Sequence, residues 1–283
     1  MPPAPTPRAA AALWDIATPV RPGPVRGVAM AGFRARAGGP YDLEVVPFPA
    51  VTVAVDLGDE SLAVGGTEGR QEAGSVVAGL ASHGLRGHGR DIECLQIRLS
   101  PVVAHAVLGP LADLDGGVVR LDDLAGRDAA RLQERLRAAA SWADRFAIAE
   151  AALARRHRDG PAVDPEVAFV WRQLVAHRGG VRIERLAGET GWSRKRLWSR
   201  FRGQIGLTPK HAARLVRFDH AAHRLAAGHR PALVAADAGY ADQSHLHREV
   251  AAFAGMTPTA VAAAAWLTVD DDAWAAPGYL RAS

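Results

Sequence analysis

The chain has 283 residues and a mass of 29.9 kDa, which suits one large domain or two of ordinary size. Apolar residues make up 48% and charged residues 23%, which excludes a chain that is disordered throughout. A single cysteine, Cys94, excludes a disulfide framework and a cysteine-rich zinc site within one chain. Apolar runs fall well short of the roughly 20 residues that span a bilayer, and the N-terminus does not resemble a signal peptide. We therefore expect a soluble, cytoplasmic protein that does not bind membranes.

The positive charge of the chain is concentrated near its C-terminal end. The formal net charge is +4, yet residues 181–266 contain 13 basic and six acidic side chains, a net charge of +7. The rest carries 21 basic and 24 acidic side chains, a net charge of −3. A basic module attached to a mildly acidic body is typical of a nucleic-acid-binding protein with a separate input domain. Charge alone leaves open a merely solvated arginine-rich surface.

The first 120 residues predict an irregular arm and then a β-rich domain. Seven of the first 24 residues are proline, so residues 1–24 are expected to be mostly irregular. Between residues 25 and 120, short β-branched runs are separated by glycine- and proline-containing turns. Clear examples are Tyr41–Val46, Val51–Val55, Ser75–Leu80 and Glu93–Leu99. Several alternate with a period of two residues, which favours a small antiparallel sandwich or barrel that serves in effector binding or dimerisation.

A helical segment is predicted over residues 121–158, followed by a linker over 159–163. The helical segment has apolar residues at intervals of three and four: Leu124, Leu132, Leu136, Ala139, Ala143, Phe146, Ala147 and Leu153. Such a stripe either packs within its own domain or forms a dimer contact. Asp159-Gly160-Pro161 breaks the helix, and Asp164-Pro165 is typical of an N-cap followed by the first residue of a new helix.

The region after Asp164 contains an internal repeat. Leu197, Gly206 and Pro209 recur 49 positions later as Leu246, Gly255 and Pro258, and Gly191 recurs 48 positions later as Gly239. Self-similarity of this kind indicates a duplicated supersecondary unit.

Each copy of the repeat predicts a helix, a glycine-containing turn and a second helix. Gly191 and Gly239 lie where the first helix ends in a left-handed backbone conformation, and Ser193 and Asp242 are expected to cap the second helix. The second helices keep one apolar edge and leave their other faces polar and cationic. This arrangement is that of a helix-turn-helix whose second helix enters a DNA major groove.

The connection between the two copies predicts their spacing. A helix from Pro209 to Ala227 has 19 residues and a length of about 28 Å. Successive major grooves on one face of DNA lie about 34 Å apart, so one chain would reach two adjacent grooves. The predicted fold class is α+β, with an N-terminal β-rich domain, a helical segment, an all-α double helix-turn-helix domain over residues 164–266 and a C-terminal tail over residues 267–283.

Residues 164–266 resemble the AraC/XylS family of transcription regulators. The resemblance is carried by Gly191-Trp192-Ser193, Gly206-Leu207-Thr208-Pro209, Arg214-Leu215-Val216-Arg217-Phe218, Gly239-Tyr240-Ala241-Asp242-Gln243-Ser244 and Gly255-Met256-Thr257-Pro258. It implies a sequence-specific DNA-binding regulator with double-stranded DNA as its partner and an N-terminal input domain. RNA polymerase, a small-molecule effector and a second copy of the chain are further partners to be expected.

The resemblance and the basic, polar faces of the two second helices together give a set of candidate DNA-binding residues. In the first copy they are Arg194, Lys195, Arg196, Trp198, Ser199 and Arg202, and in the second copy Gln243, Ser244, His247 and Arg248. Gln243 suits adenine and Arg248 suits guanine through paired hydrogen bonds. This chain departs from the family pattern at four positions, namely Ser199, Arg200, Glu249 and Val250.

No catalytic residue, metal site or cofactor is expected. His83, His88 and His105 lack the close pairing of zinc ligands, and Cys94 lies in an apolar alternation typical of a buried residue. The alternative function is an enzyme or small-molecule-binding protein whose β-rich half carries the activity and whose basic half only localises it. That alternative would require clustered ligand or nucleophile residues, which the sequence does not show.

Overall fold

The fold was analysed in a computed structural model. It describes residues 13–36, 39–59, 62–66, 71–80, 83–114, 116–264, 267, 269–270 and 273–274. Residues 1–12 of the predicted arm, Trp266 at the predicted domain end and residues 275–283 of the predicted tail lie outside the described residues. Within the described ranges, nine strands precede the first helix, one short strand follows it, and the rest of the chain is helical, which confirms the α+β class.

Among the residues that the structure describes, ten strands form two antiparallel sheets. They are β1 (Trp14–Ala17), β2 (Val28–Ala35), β3 (Pro40–Val45), β4 (Val51–Asp56), β5 (Ala63–Gly66), β6 (Gln71–Ala73), β7 (Val76–Ala78), β8 (Leu85–Arg90), β9 (Glu93–Leu99) and β10 (Val118–Arg120). The larger sheet has the order β1-β2-β9-β4-β7-β10 and the smaller one β3-β8-β5-β6. Strand β1 lies within the arm that composition predicts to be mostly irregular.

The central strand β9 shows why the two sheets pack as they do. It pairs with β2 on one side and β4 on the other, with Ile97 opposite both Met30 and Val53. Leu95, Ile97 and Leu99 belong to the core shared with the helices, whereas Cys94 belongs to the cluster between the two sheets. Successive side chains of a strand alternate between its faces, so one sheet supports two cores.

The first helix lies between β9 and β10, and the other helices follow β10 along the chain. The helices are α1 (Pro101–Leu108), α2 (Leu121–Ala125), α3 (Arg127–Ala138), α4 (Trp142–Asp159), α5 (Pro165–Ala176), α6 (Ile183–Glu189), α7 (Arg194–Ile205), α8 (Pro209–Ala226), α9 (Pro231–Asp237), α10 (Gln243–Ala254) and α11 (Pro258–Ala262). A short 3₁₀ turn, Leu111–Leu114, follows α1. The helices that the structure describes are too short or too polar to cross a lipid bilayer.

The predicted helical segment over 121–158 is three helices rather than one. Gly126 separates α2 from α3, and Ser141 caps α4 by accepting a hydrogen bond from the amide of Asp144. Leu136, Phe146 and Leu153 of the apolar stripe are buried in the core. These three side chains therefore serve packing within the chain.

The two halves of the chain are in direct contact near the end of α7. The helix ends at Gly206, which has a φ of +89°. A Cβ atom at this position would lie 2.9 Å from the carbonyl oxygen of Leu111 in the N-terminal half. Two constraints therefore require glycine at position 206: the left-handed backbone and the close approach of the Leu111 carbonyl oxygen. Nearby, the amide of Asp164 donates to Oε1 of Gln204 at 3.0 Å.

Candidate nucleic-acid interface

The two repeat copies fold as two helix-turn-helix units. In the first, α6 ends near Gly191 with a φ of +68°, and in the second, α9 ends near Gly239 with a φ of +73°. Ser193 caps α7 by accepting from the amide of Arg196 at 3.2 Å. Asp242 caps α10 by accepting from the amide of His245 at 2.7 Å. The glycine turns and both caps agree with the sequence analysis, because they depend on neighbouring residues only.

The second helix of each unit, α7 in the first and α10 in the second, is called a reading helix below because it is the helix predicted to enter a major groove. The first reading helix, α7, buries one edge and exposes the predicted contact residues. Leu197 and Phe201 are completely buried. The candidate residues on the exposed surface are Arg194, Lys195, Arg196, Trp198, Ser199 and Arg202. Trp198 keeps 38% of its surface exposed, which is unusual for a large aromatic side chain. The structure thus brings all six candidates of this copy to the solvent-facing sides of one helix.

Two arginines of α7 already have partners within the chain. The guanidinium of Arg196 lies 4.4 Å from the ring centroid of Trp192. Arg200 donates from Nε and Nη2 to the carboxylate of Asp164 at 2.6 and 2.8 Å. The Arg200 hydrogen bond lowers the pKa of Asp164. The departure at Arg200 therefore has a structural reason, since this paired contact ties α7 to the start of α5.

The second reading helix, α10, shows the same division. Leu246 and Val250 are buried, whereas Gln243, Ser244, His247 and Arg248 are exposed. The side chains of Gln243 and His247 approach to 3.5 Å, and Nε of Arg248 donates to the carbonyl oxygen of Ser244 at 3.3 Å. One face of α10 is thus a continuous row of hydrogen-bonding and cationic groups.

Glu249 does not lie on this polar face. Its side chain is 4% exposed and accepts hydrogen bonds from Nε of Arg214 at 3.3 Å and Nη2 of Arg217 at 3.1 Å. Both arginines belong to α8, the 18-residue helix that joins the two units and is called the rod below. The guanidinium of Arg217 also lies 4.8 Å from the ring centroid of Tyr240, in the turn before α10. The carboxylate thus fixes the rotation of α10 against the rod, and its charge is neutralised there instead of lying on the exposed polar face.

Sequence reasoning did not find this role of Arg214, Arg217 and Glu249. The acid was noted as a departure, but its partners lie 32 and 35 positions earlier in the chain. The sequence did contain a signal for this ion pair, because an acid lies on the second reading helix and two arginines three residues apart lie on the helix before it.

The rod also packs against apolar residues of the second unit. The rings of Phe218 in the rod and Phe253 in α10 stack at 5.0 Å between centroids. Leu215, Phe218, Ala222 and Leu225 of the rod are also buried. Its 18 residues give a length of about 27 Å, with Pro209 at the first position as predicted.

The residues considered for metal binding or reactivity are placed apart. Within the described ranges, no group of three or more His, Cys, Asp or Glu side chains could hold a metal ion. Glu93 forms ion pairs with Arg34 and Arg145. Cys94 is buried, and burial raises the pKa of its thiol to about 12. Its thiol is therefore protonated at neutral pH and protected from solvent.

Comparison with protein families identifies the domain that carries this surface. Residues 186–264 match the model of a helix-turn-helix domain family. The chain therefore contains a helix-turn-helix domain over these residues. None of the curated proteins compared with it matches the chain.

Several solved structures resemble this chain at low sequence identity. The 1.65 Å structure of ToxT from Vibrio cholerae is 10% identical, with a TM-score of 0.46, over 86% of this chain and 98% of ToxT. ToxT from Vibrio cholerae with a bound unsaturated fatty acid gives 10% identity and a TM-score of 0.44 over 86% of this chain and 97% of ToxT. The AraC-like transcriptional activator CuxR is 16% identical, with a TM-score of 0.31, over 69% of this chain and 82% of CuxR.

Proposed function

We propose that the chain is an AraC-type transcription regulator that reads a specific DNA site by placing α7 and α10 in two adjacent major grooves. The observation that carries this proposal is the exposure of cationic and hydrogen-bonding side chains on both reading helices, opposite their buried edges. Both helices belong to units joined by a rod about 27 Å long. The distance between the two reading helices is the length of this rod plus part of their own width, and it is therefore close to the roughly 34 Å between successive major grooves.

The candidate residues divide into two kinds of contact. Lys195 and the three candidate arginines of α7, Arg194, Arg196 and Arg202, suit phosphate oxygens, which supply affinity and salt dependence but no sequence choice. Gln243 suits the adenine edge and Arg248 the guanine edge. Trp198 suits stacking on a sugar or a thymine methyl group, because 38% of its surface is exposed.

The proposal is tested by selecting bound fragments from genomic DNA with the purified protein and footprinting the selected site. Two protected grooves, one helical turn apart on one face, are expected. One residue inserted after Leu215 would rotate the two units by about 100° relative to each other and abolish one of the two protected regions. A variant that still protects both grooves would argue against a rigid connection.

We also propose that residues 25–120, with the helical segment 121–158, form an input domain that binds a small effector. A cavity of about 90 Å³ lies between the two sheets. Its walls are mostly apolar, with Leu43, Val64 and Phe48 among them, and it is also lined by Thr52 and Gln96. The hydroxyl of Thr52 is buried without a hydrogen-bond partner, and buried polar groups normally have one. A small apolar compound with one polar group fits these walls.

A thermal-shift screen tests the effector proposal. A compound that binds the cavity raises the unfolding temperature of the wild-type protein. The Ala54→Leu variant, which fills the cavity, should lose that response while Ala29→Val, on a strand outside the cavity lining, keeps it. An equal response of both variants would place the compound elsewhere.

Two further partners belong to the proposal. A regulator of this type would act on transcription through RNA polymerase near its DNA site. Self-association would require a surface other than the buried part of the helical stripe, since Leu136, Phe146 and Leu153 pack within the chain. Leu124, at 37% exposure, is the large member of that stripe left at the surface.

A further inference from the structure

The segment after α11 crosses back to the N-terminal half, and its residues 267, 269, 270 and 273 are helical. Its described residues, Leu267, Val269, Asp270, Ala273 and Trp274, are all buried, and we call this segment the C-terminal strap. Val269, Ala273 and Trp274 join the apolar cluster between the two sheets, whereas Leu267 joins the core shared with the helices. The strap therefore contacts both halves of the protein.

Asp270 of the strap is bound by a cation from each half. One carboxylate oxygen forms an ion pair with Arg98 of β9, which is fully buried, and the other accepts from Nε2 of His223 in the rod at 3.3 Å. Nδ1 of His223 donates to the carbonyl oxygen of Asp219 at 2.9 Å. Because both ring nitrogens face oxygen acceptors, the ring is a doubly protonated imidazolium.

The charge state of this group follows from its surroundings. Burial lowers the pKa of His223, but the hydrogen bond to Asp270 and the nearby Asp219 carboxylate outweigh burial and raise the pKa to about 10. Burial likewise disfavours the ionised form of Asp270, yet Arg98 and His223 lower its pKa. At neutral pH one buried carboxylate is shared by two cations, and a buried charge that loses its partner is costly.

Arg98 is also in contact with the wall of the cavity. Its guanidinium lies between the rings of Phe48 and Trp274, at 3.9 and 4.3 Å from their centroids. Phe48 lines the cavity, and so does Gln96, which points to the same side of β9 as Arg98 because it lies two residues earlier. A molecule in the cavity would therefore touch the groups that position Arg98.

We propose that the C-terminal strap couples the cavity of the input domain to the rod, with Asp270 as the residue that joins them. With the cavity empty, Arg98 is stacked between Phe48 and Trp274 and holds Asp270 against His223. Filling the cavity displaces Phe48, shifts Arg98 and loosens the hold of Asp270 on the rod, so that the affinity for DNA changes. This inference rests on the proposed function, and it names how the input domain would regulate the reading helices.

The test uses a substitution in place of an unidentified effector. Ala78 lines the cavity, so Ala78→Val fills part of it. The Kd of the full-length protein for a selected DNA fragment is measured by fluorescence anisotropy at fixed salt, for A78V alone and combined with D270N. We expect A78V to change Kd about fivefold or more in the wild-type background and to have no effect in the D270N background.

A matched control removes another ion pair of the rod. Asp237 pairs with Arg224 of the rod at 2.9 Å and belongs to α9. The D237N background should leave the effect of A78V intact.

If D270N does not fold, H223Q removes the same bridge from the partly exposed rod side and must abolish the effect as well. An unchanged effect of A78V in D270N or H223Q, or no effect in the wild type, would overturn the coupling. Failure of the wild type to select any DNA would instead refute the proposed function.

Discussion

Replacing Glu249 by alanine tests whether the reading surface depends on a buried carboxylate behind it. Removing one partner of a buried ion pair costs about 3–5 kcal/mol when the remaining charge stays buried. Arg217 keeps 19% and Arg214 keeps 36% of its side chain exposed, so water compensates part of that loss. We therefore expect the free energy of unfolding to fall by about 2–3 kcal/mol. Stability of this class of protein is about 5–15 kcal/mol, so E249A should still fold at 25 °C.

The assay pairs urea unfolding with DNA binding, and Arg248→Ala is the matched control. Arg248 is the neighbouring residue on α10 but is exposed, so its loss should change the unfolding free energy by no more than about 0.5 kcal/mol. Loss of one guanine contact would weaken binding by about 1–3 kcal/mol. E249A should weaken binding as well, since α10 loses its fixed rotation. If E249A unfolds like the wild type and binds with the same Kd, Glu249 does not orient the helix.

Three other results are expected. Gly206→Ala should destabilise the protein by about 1–2 kcal/mol or more, because the left-handed backbone and the nearby Leu111 carbonyl both disfavour a Cβ atom. The control Gly203→Ala, inside α7, should stabilise the protein by about 0.5–1 kcal/mol. Equal unfolding midpoints of the two variants would contradict this. Lys195→Ala should lower the slope of log K against log salt by about one unit without changing the preferred sequence, and a changed sequence preference would make Lys195 a base reader. His223 has a pKa of about 10 in the folded protein against about 6.5 when unfolded, so the stability that its charge contributes is complete below pH 6.5 and is lost as the pH rises to about 10. Urea unfolding at a series of pH values should show this decline in the wild type and a flatter one in H223Q. Identical curves would mean that His223 is not charged in the folded state.

The sequence alone determined the features that depend on residues close together in the chain. The glycine turns at Gly191 and Gly239, the caps at Ser193 and Asp242 and the buried edges of the reading helices all follow from local backbone and capping preferences. The 49-residue repeat then predicted two such units. The β-rich character of residues 25–120 was equally readable from its alternation, although the order of strands in the two sheets was not.

The tertiary structure decided which charged residues lie exposed on the predicted DNA-binding surface and which pair with other side chains inside the molecule. Arg200 and Glu249 both lie on reading helices, yet one binds Asp164 and the other binds two arginines of the rod. Arg98 and Asp270 meet although 172 positions separate them. Helical and strand periodicity shows that a charged side chain lies on a given face, but its partner comes from a distant segment. The energy of a buried charge depends on that partner, so only the packed chain determines whether such a residue binds DNA or stabilises the fold.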